Sequence, residues 1–239
     1  MQLTALSWID SFFEISPEDI LPFVPTLLAR VLPAISSGSD QVRQAATRVN
    51  TSLMEFIMTL SEDSPEQAPQ RIPPIKEEDS RRSSLQSQRP SADGASSQQP
   101  PTPQSGLDYA SAVNSLTLQF LNENEATRVA AISWLIMLHR KAPRKVLSMN
   151  DGTFPALLKT LSDPAEAVVT KDLQLLSQIS RNSEDGYFTS FMVNLLQLFS
   201  TDRKLLEVRG NLIIRQLCMN LSPERIYRTL ADCLEKEEV

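Results

Sequence analysis

The sequence predicts an all-α protein, a helical-repeat solenoid interrupted by a long disordered linker. Three observations predict it. The first is a duplicated phrase. Ala5-Leu6-Ser7-Trp8-Ile9 opens an apolar run that closes near Ile15-Ser16-Pro17, and Ala131-Ile132-Ser133-Trp134-Leu135 opens another that closes near Lys141-Ala142-Pro143. Each is followed by a proline with paired leucines, Pro25-Thr26-Leu27-Leu28 and Pro155-Ala156-Leu157-Leu158, and then by a further apolar helix, Val42 to Ile57 and Val168 to Ile179. Self-similarity on this scale marks a solenoid, whose units bury their apolar faces against their neighbours. The second observation is composition: 41% hydrophobic residues and only six glycines in 239, with no alternating run that reads as a strand. That balance fits helices. The third is the stretch from Ser61 to about Gly106, where proline, serine and glutamine dominate and apolar residues nearly vanish. Such a segment buries too little surface to offset its chain entropy.

The elements follow in order. Leu3, Leu6, Ile9, Phe12 and Phe13 recur at helical spacing and predict a helix over 3–15. Ser16-Pro17-Glu18-Asp19 starts the next, with proline early and acids in the first turn. Pro22 and Pro25 break it, so a short turn at 18–22 and a helix from about Pro25 are expected. Ser36 to Asp40 is a turn ending in an N-cap. A helix over 41–60 then turns Val42, Ala45, Ala46, Val49, Leu53, Phe56, Ile57 and Leu60 inward. Beyond the linker, helices are expected at 109–121, 124–141, 153–161, 165–181, 187–200, 203–220 and 223–237. The inner helices of the ordered C-terminal part start roughly 40 residues apart, the period of HEAT and armadillo repeats. The expected organisation is helical repeats at 1–60, a linker at 61–107, repeats at 108–186, and a distinct C-terminal region at 187–239. Both ends fall inside a repeat, which reads as a fragment of a longer solenoid.

Charge and composition exclude several functions. The net charge of −6 argues against a nucleic-acid binder, which carries a basic face. No uninterrupted apolar run approaches a membrane span, and Met1-Gln2-Leu3-Thr4 does not open a signal peptide. Cys218 and Cys233 make no disulfide framework and read as small apolar residues. One histidine, His139, cannot build a zinc site of the usual ligand count, and no oriented carboxylate stands near it in sequence. No G-x-S-x-G, Gly-rich phosphate loop or H-E-x-x-H is present. No catalytic, metal or cofactor site is therefore expected.

Other features have two readings each. Trp8 and Trp134 read as core residues at equivalent helical positions, with a repeated ligand-binding aromatic as the alternative. His139-Arg140-Lys141 with Arg144-Lys145 reads as cations at a helix C-terminus, and otherwise as a contact for acidic headgroups or an acidic partner. Arg81-Arg82 before Ser84, and Thr102-Pro103, resemble kinase sites, which makes Ser84 and Thr102 candidate phosphorylation positions. Along 203–210, charges and apolar residues interleave: Arg203, Lys204, Glu207 and Arg209 form either a salt-bridged solvent face or a partner-binding one. Gly210, costly inside a helix, hints at a close helix approach.

The run Arg203 to Gly210 and Ile213-Ile214-Arg215-Gln216-Leu217-Cys218 closely resembles the vacuole-morphology scaffold family of the phosphatidylinositol 3-phosphate 5-kinase complex. Phe191 to Leu196, Leu3-Thr4-Ala5 with Trp8, and Ala142-Pro143-Arg144-Lys145 fit it as well. The resemblance implies a non-enzymatic helical-repeat scaffold joining a lipid 5-kinase and an antagonistic phosphoinositide 5-phosphatase. It implies control of phosphatidylinositol 3,5-bisphosphate, peripherally, on the cytoplasmic face of the vacuole or late endosome. It implies phosphatase binding and self-association through the C-terminal region, beginning here near Tyr187. The alternative is a helical-repeat adaptor that binds peptides of unrelated partners, which would display regularly spaced Asn or acidic residues on its inner helices. Asn50 and Asn220 do not recur at the repeat period.

Overall fold

The structure is a computed structural model and describes residues 1–60, 106–146, 152–182 and 185–236. Among these every regular element is helical. The linker, with Ser84 and Thr102, lies almost wholly outside the described residues. Residues 1–59 and 104–239 belong to one compact unit.

Helix α1 (Gln2–Ile15) leads through a 3₁₀ helix (Pro17–Phe23) to α2 (Val24–Ala34) and α3 (Asp40–Thr59). Then come α4 (Tyr109–Leu118) with a 3₁₀ turn at Gln119–Leu121, α5 (Glu125–Lys141), the short α6 (Pro143–Val146) and α7 (Thr153–Thr160). The last four are α8 (Glu166–Asn182), α9 (Asp185–Thr201), α10 (Arg203–Asn220) and α11 (Pro223–Lys236).

The prolines act where expected. Pro22 sits in the 3₁₀ stretch, and Pro25 falls in the first turn of α2, where its missing N–H would have had no partner. The cap before α3 differs by one residue. Ser39 gives its carbonyl to Arg43 N, and Asp40 lies inside the first turn, where its carboxylate pairs with Arg43. Asp108 caps α4, accepting from Ser111 N at 3.0 Å. Helix α6 was not expected from the pattern; it is a single turn opened by Pro143.

The helices form two layers. In the inner layer α1 packs on α3, α3 on α5, α5 on α8 and α8 on α10. In the outer layer α2 packs on α4, α4 on α7, α7 on α9 and α9 on α11. Each inner helix after α1 also packs on an outer one: α3 on α2, α5 on α4, α8 on α7, α10 on α9. This is the stacking of a helical-pair solenoid. Because α2 meets α4 and α3 meets α5, it continues across residues 61–105.

Helix α5 shows why an inner helix is apolar nearly all round. From Ala131 to His139 only Ser133 is not buried. Each fully buried Leu or Ile contributes about 1.5–3 kcal/mol. Polar rungs fix the layer's register. Trp134 Nε1 donates to Asn50 Oδ1 at 2.7 Å, and Lys141 Nζ reaches the Met58 carbonyl at 3.4 Å. Both sets of numbers rise together, so α3 and α5 run parallel. Gln178 Nε2 donates to the Ile136 carbonyl at 3.0 Å and lies 2.8 Å from His139 Nδ1.

The N-terminus of α5 holds a buried ion pair. Arg128 meets both Asp163 carboxylate oxygens, Nε–Oδ2 at 2.7 Å and Nη2–Oδ1 at 2.9 Å. Its Nη1 donates to the carbonyls of Asn122 and Glu123. These partners satisfy a charge that would be costly if left alone.

One core assignment is corrected. Trp134 is fully buried, but Trp8 is 64% exposed. The face of α5 that carries Trp134 lies on α3, and no described helix lies on the corresponding face of α1.

Candidate functional site

The 203–210 run opens α10. Asp202 caps the helix, accepting from Leu205 N at 2.9 Å. Leu205, Gly210, Ile213 and Leu217 are buried along one side, and α10 packs on α8 and α9. The opposite side turns Arg203, Lys204, Glu207, Val208, Asn211, Arg215 and Met219 to solvent. Arg203 Nε and Glu207 Oε1 form an i,i+4 pair at 3.5 Å. Both side chains are largely exposed, so this pair holds the helix by only a few tenths of a kcal/mol.

Arg209 stands apart from the other three site residues. Its Nη2 donates to the Pro164 carbonyl at 2.6 Å, in the loop between α7 and α8. Arg128 holds Asp163 of the same loop from the other side. Arg203, Lys204 and Glu207 thus share an exposed face, while Arg209 seats α10 on its neighbour. The close approach expected at Gly210 comes from its own helix: an added Cβ would lie 2.9 Å from Leu206 Cδ1, and no other helix crowds the position.

The pattern reading missed the apolar part of this face. Val208 is 70% exposed and Met219 73%, and Leu206 on α10 with Tyr227 and Leu234 on α11 are also open. The signal was present in the numbering, since Val208 and Met219 fall on the helical stripe of Lys204 and Arg215. Helix α11 begins at Pro223 and buries Ile226 and Cys233. The Arg225 guanidinium sits 4.3 Å from the centre of the Phe188 ring, tying α11 to α9.

The basic cluster at the end of α5 is not one surface. His139 is buried, and burial lowers its pKa below the ordinary value. Lys145 lies over the Tyr109 ring, while Arg140 and Arg144 are exposed. Asp172 is fully buried with neither carboxylate oxygen hydrogen-bonded; burial, then the Asp163 charge, hold its carboxyl well above the usual carboxylate range. Among the described residues, no group of three or more His, Cys, Asp or Glu side chains is placed to hold a metal ion. None of the described helices is long and apolar enough to cross a membrane.

A family profile described as "Vacuolar protein 14 C-terminal Fig4p binding" matches residues 203–239, the whole of α10 and α11. The full chain is 32% identical over 238 residues to the protein VAC14 homolog of Schizosaccharomyces pombe, covering 100% of this chain and 26% of that protein. Over its whole length the chain is a relative of the VAC14 proteins. It is 31% identical over 235 residues to vacuole morphology and inheritance protein 14 of Saccharomyces cerevisiae, covering 98% of this chain and 22% of that protein. With the VAC14 homolog of Arabidopsis thaliana it shares 27% identity over 237 residues, 99% of this chain and 26% of the relative. The chain thus spans about a quarter of the length of these VAC14 relatives. No solved structure matches it.

Proposed function

We propose that this chain is part of a non-enzymatic scaffold whose α10–α11 end docks a phosphoinositide 5-phosphatase, the Fig4p of the matching profile. The repeats hold that phosphatase beside a phosphatidylinositol 3-phosphate 5-kinase, so that synthesis and removal of phosphatidylinositol 3,5-bisphosphate are governed together. The assembly self-associates and sits peripherally on the cytoplasmic face of the vacuole or late endosome. One observation supports this most: the residues matched by the binding profile are the two helices whose open faces combine charge with exposed apolar side chains. Open apolar residues inside a charged rim are the composition of a docking face.

Arg203, Lys204 and Glu207 are contacts in this reading, with Val208 and Met219 between and beyond them. Arg209 acts by seating α10. The test is a pull-down of the phosphatase and the kinase from the full-length protein carrying Arg203→Glu with Lys204→Glu, or Val208→Asp. All three positions are exposed, so helicity by circular dichroism stays normal. Loss of the phosphatase with normal helicity is expected. Retention of the phosphatase by both variants rejects this face.

A further inference from the structure

We infer that the turn between α7 and α8 is the joint that sets the pose of α10, and that Arg128 of α5 positions the docking face through Asp163. The docking part rests on the role proposed above for α10. Four helices meet at residues 161–165. The backbone of the turn hangs from the end of α7: Leu161 N, Ser162 N and Asp163 N donate to the carbonyls of Leu158, Lys159 and Thr160 at 3.3, 3.1 and 2.9 Å. Asp163 Oδ1 accepts from Ala165 N at 2.8 Å, which closes an Asx turn at the start of α8. Arg128 reaches the turn from α5, and Arg209 reaches it from α10.

The two arginines hold adjacent residues with different strength. Arg128 is buried and engages both Asp163 oxygens, while its Nη1 reaches the Asn122 and Glu123 carbonyls. A charged two-point grip of this kind is strong and fixed in angle. Arg209 makes one bond, from Nη2 to the Pro164 carbonyl at 2.6 Å, and its Nη1 is shut from solvent with no acceptor. Pro164 has no N–H, and it is the Ala165 carbonyl that opens the α8 ladder, accepting from Val169 N at 3.3 Å. The Pro164 carbonyl is therefore free of the helix and open to α10. The firm grip on Asp163 fixes the turn, and the turn fixes the place of the single bond.

Helix α10 has a second rung at its far end, where Arg181 of α8 donates to the Asn220 carbonyl. Between the rungs its buried side chains are apolar, Leu205, Ile213 and Leu217. Apolar packing is non-directional and tolerates sliding, whereas the hydrogen bonds at the two ends set the height and rotation of the helix. Arg209 follows Val208 directly and Glu207 by two residues, so a shift of its seat moves the exposed face. The polar partners of Arg128 are Asn122, Glu123 and Asp163, none of them on α10. Its effect on the docking face therefore passes through Asp163 and Pro164, adjacent residues of one turn.

Amide hydrogen exchange and phosphatase affinity, both measured on the full-length protein, test this. Arg209→Met removes the seat. Arg128→Lys trades the fork for a single ammonium, and Asp163→Asn keeps an acceptor for Ala165 N but loses the charge. Each variant is expected to speed exchange over 206–213 and to weaken phosphatase binding by about tenfold, with exchange over 42–57 unmoved. Arg209→Lys keeps a donor for the Pro164 carbonyl and is expected to stay close to the parent protein. The double variant Arg128→Lys with Arg209→Met is expected to match Arg209→Met alone, because both act on one seat; independent structural losses would multiply. Three results overturn the inference: exchange over 206–213 unmoved in both Arg128→Lys and Asp163→Asn, effects that multiply in the double variant, or faster exchange with phosphatase affinity unmoved while Val208→Asp abolishes binding. If Val208→Asp retains the phosphatase, the docking reading fails, and the exchange pattern alone decides the joint.

Discussion

In α5, Trp134 is fully buried and its indole N–H meets Asn50; in α1, Trp8 stands at the equivalent position with most of its ring in solvent. The two helices share a phrase, a direction and a place in the inner layer. They differ in what lies beside them: α5 is covered by α3 and α8, α1 by α3 alone among the inner helices. A repeat sequence therefore states what a face can bury, and the neighbour decides whether it does. Burial of this kind belongs to an interface between repeats rather than to a single helix.

Truncating Trp134 is the most damaging way to test the contrast. Trp134→Ala opens a cavity in a dry core and leaves the Asn50 amide without its donor, a loss of about 3–5 kcal/mol. A chemical denaturation midpoint that does not move would place Trp134 outside the core.

The start of α5 offers a second contrast, with α3. Asp40-Gln41-Val42-Arg43 and Glu125-Ala126-Thr127-Arg128 share an acidic residue three positions before an arginine. Arg43 is exposed and pairs within its own turn, while Arg128 is buried with Asp163. Arg128→Leu strands the Asp163 carboxylate and should cost about 3–5 kcal/mol. Arg43→Leu removes a solvent-screened pair and should cost about 0–1 kcal/mol. Equal losses in a denaturation series would mean that the Arg128 pair is no better buried than that of Arg43.

Much of this was legible in the sequence. The helix periods, the loop positions and the two-layer order follow from apolar spacing and proline placement, which act locally. The exposure of Trp8 was not legible, because it depends on a neighbour rather than on α1. The division of the 203–210 run was hidden for the same reason. Arg203 and Arg209 look alike in one dimension, and only the path of the α7–α8 loop brings Pro164 to one and not the other. The buried ion pair was also missed, since 35 residues separate Arg128 from Asp163.

Stability against pH separates the helices further. Phe13 is the α1 equivalent of His139. Burial holds His139 below the ordinary histidine pKa, so the folded chain binds its proton less readily than the unfolded one. Its contribution is present above the unfolded value of about 6.5 and is lost as pH falls through the lowered folded value, by at most about 1.4 kcal/mol per pH unit. His139→Phe should flatten this acid limb. Asp172 has the opposite sign: its raised pKa gives stability at low pH that is lost as pH rises from about 4 through the folded value. Asp172→Asn should flatten that slope. An unchanged pH profile in either variant would mean that the side chain is hydrated in the folded protein.

The smallest expected effect lies at the position that defines the contrast. Trp8→Ala removes a large side chain, yet most of that surface is already in water in this chain, so little apolar burial is lost. No hydrogen bond to an inner-layer neighbour breaks. Alanine is the better helix former by up to about 0.7 kcal/mol, which offsets the contacts that the indole makes along α1. The denaturation midpoint of the 239-residue chain should therefore shift by no more than that of a surface substitution, about 0.5 kcal/mol either way. A loss approaching that of Trp134→Ala would mean that Trp8 is packed in solution, and the contrast between α1 and α5 would fail.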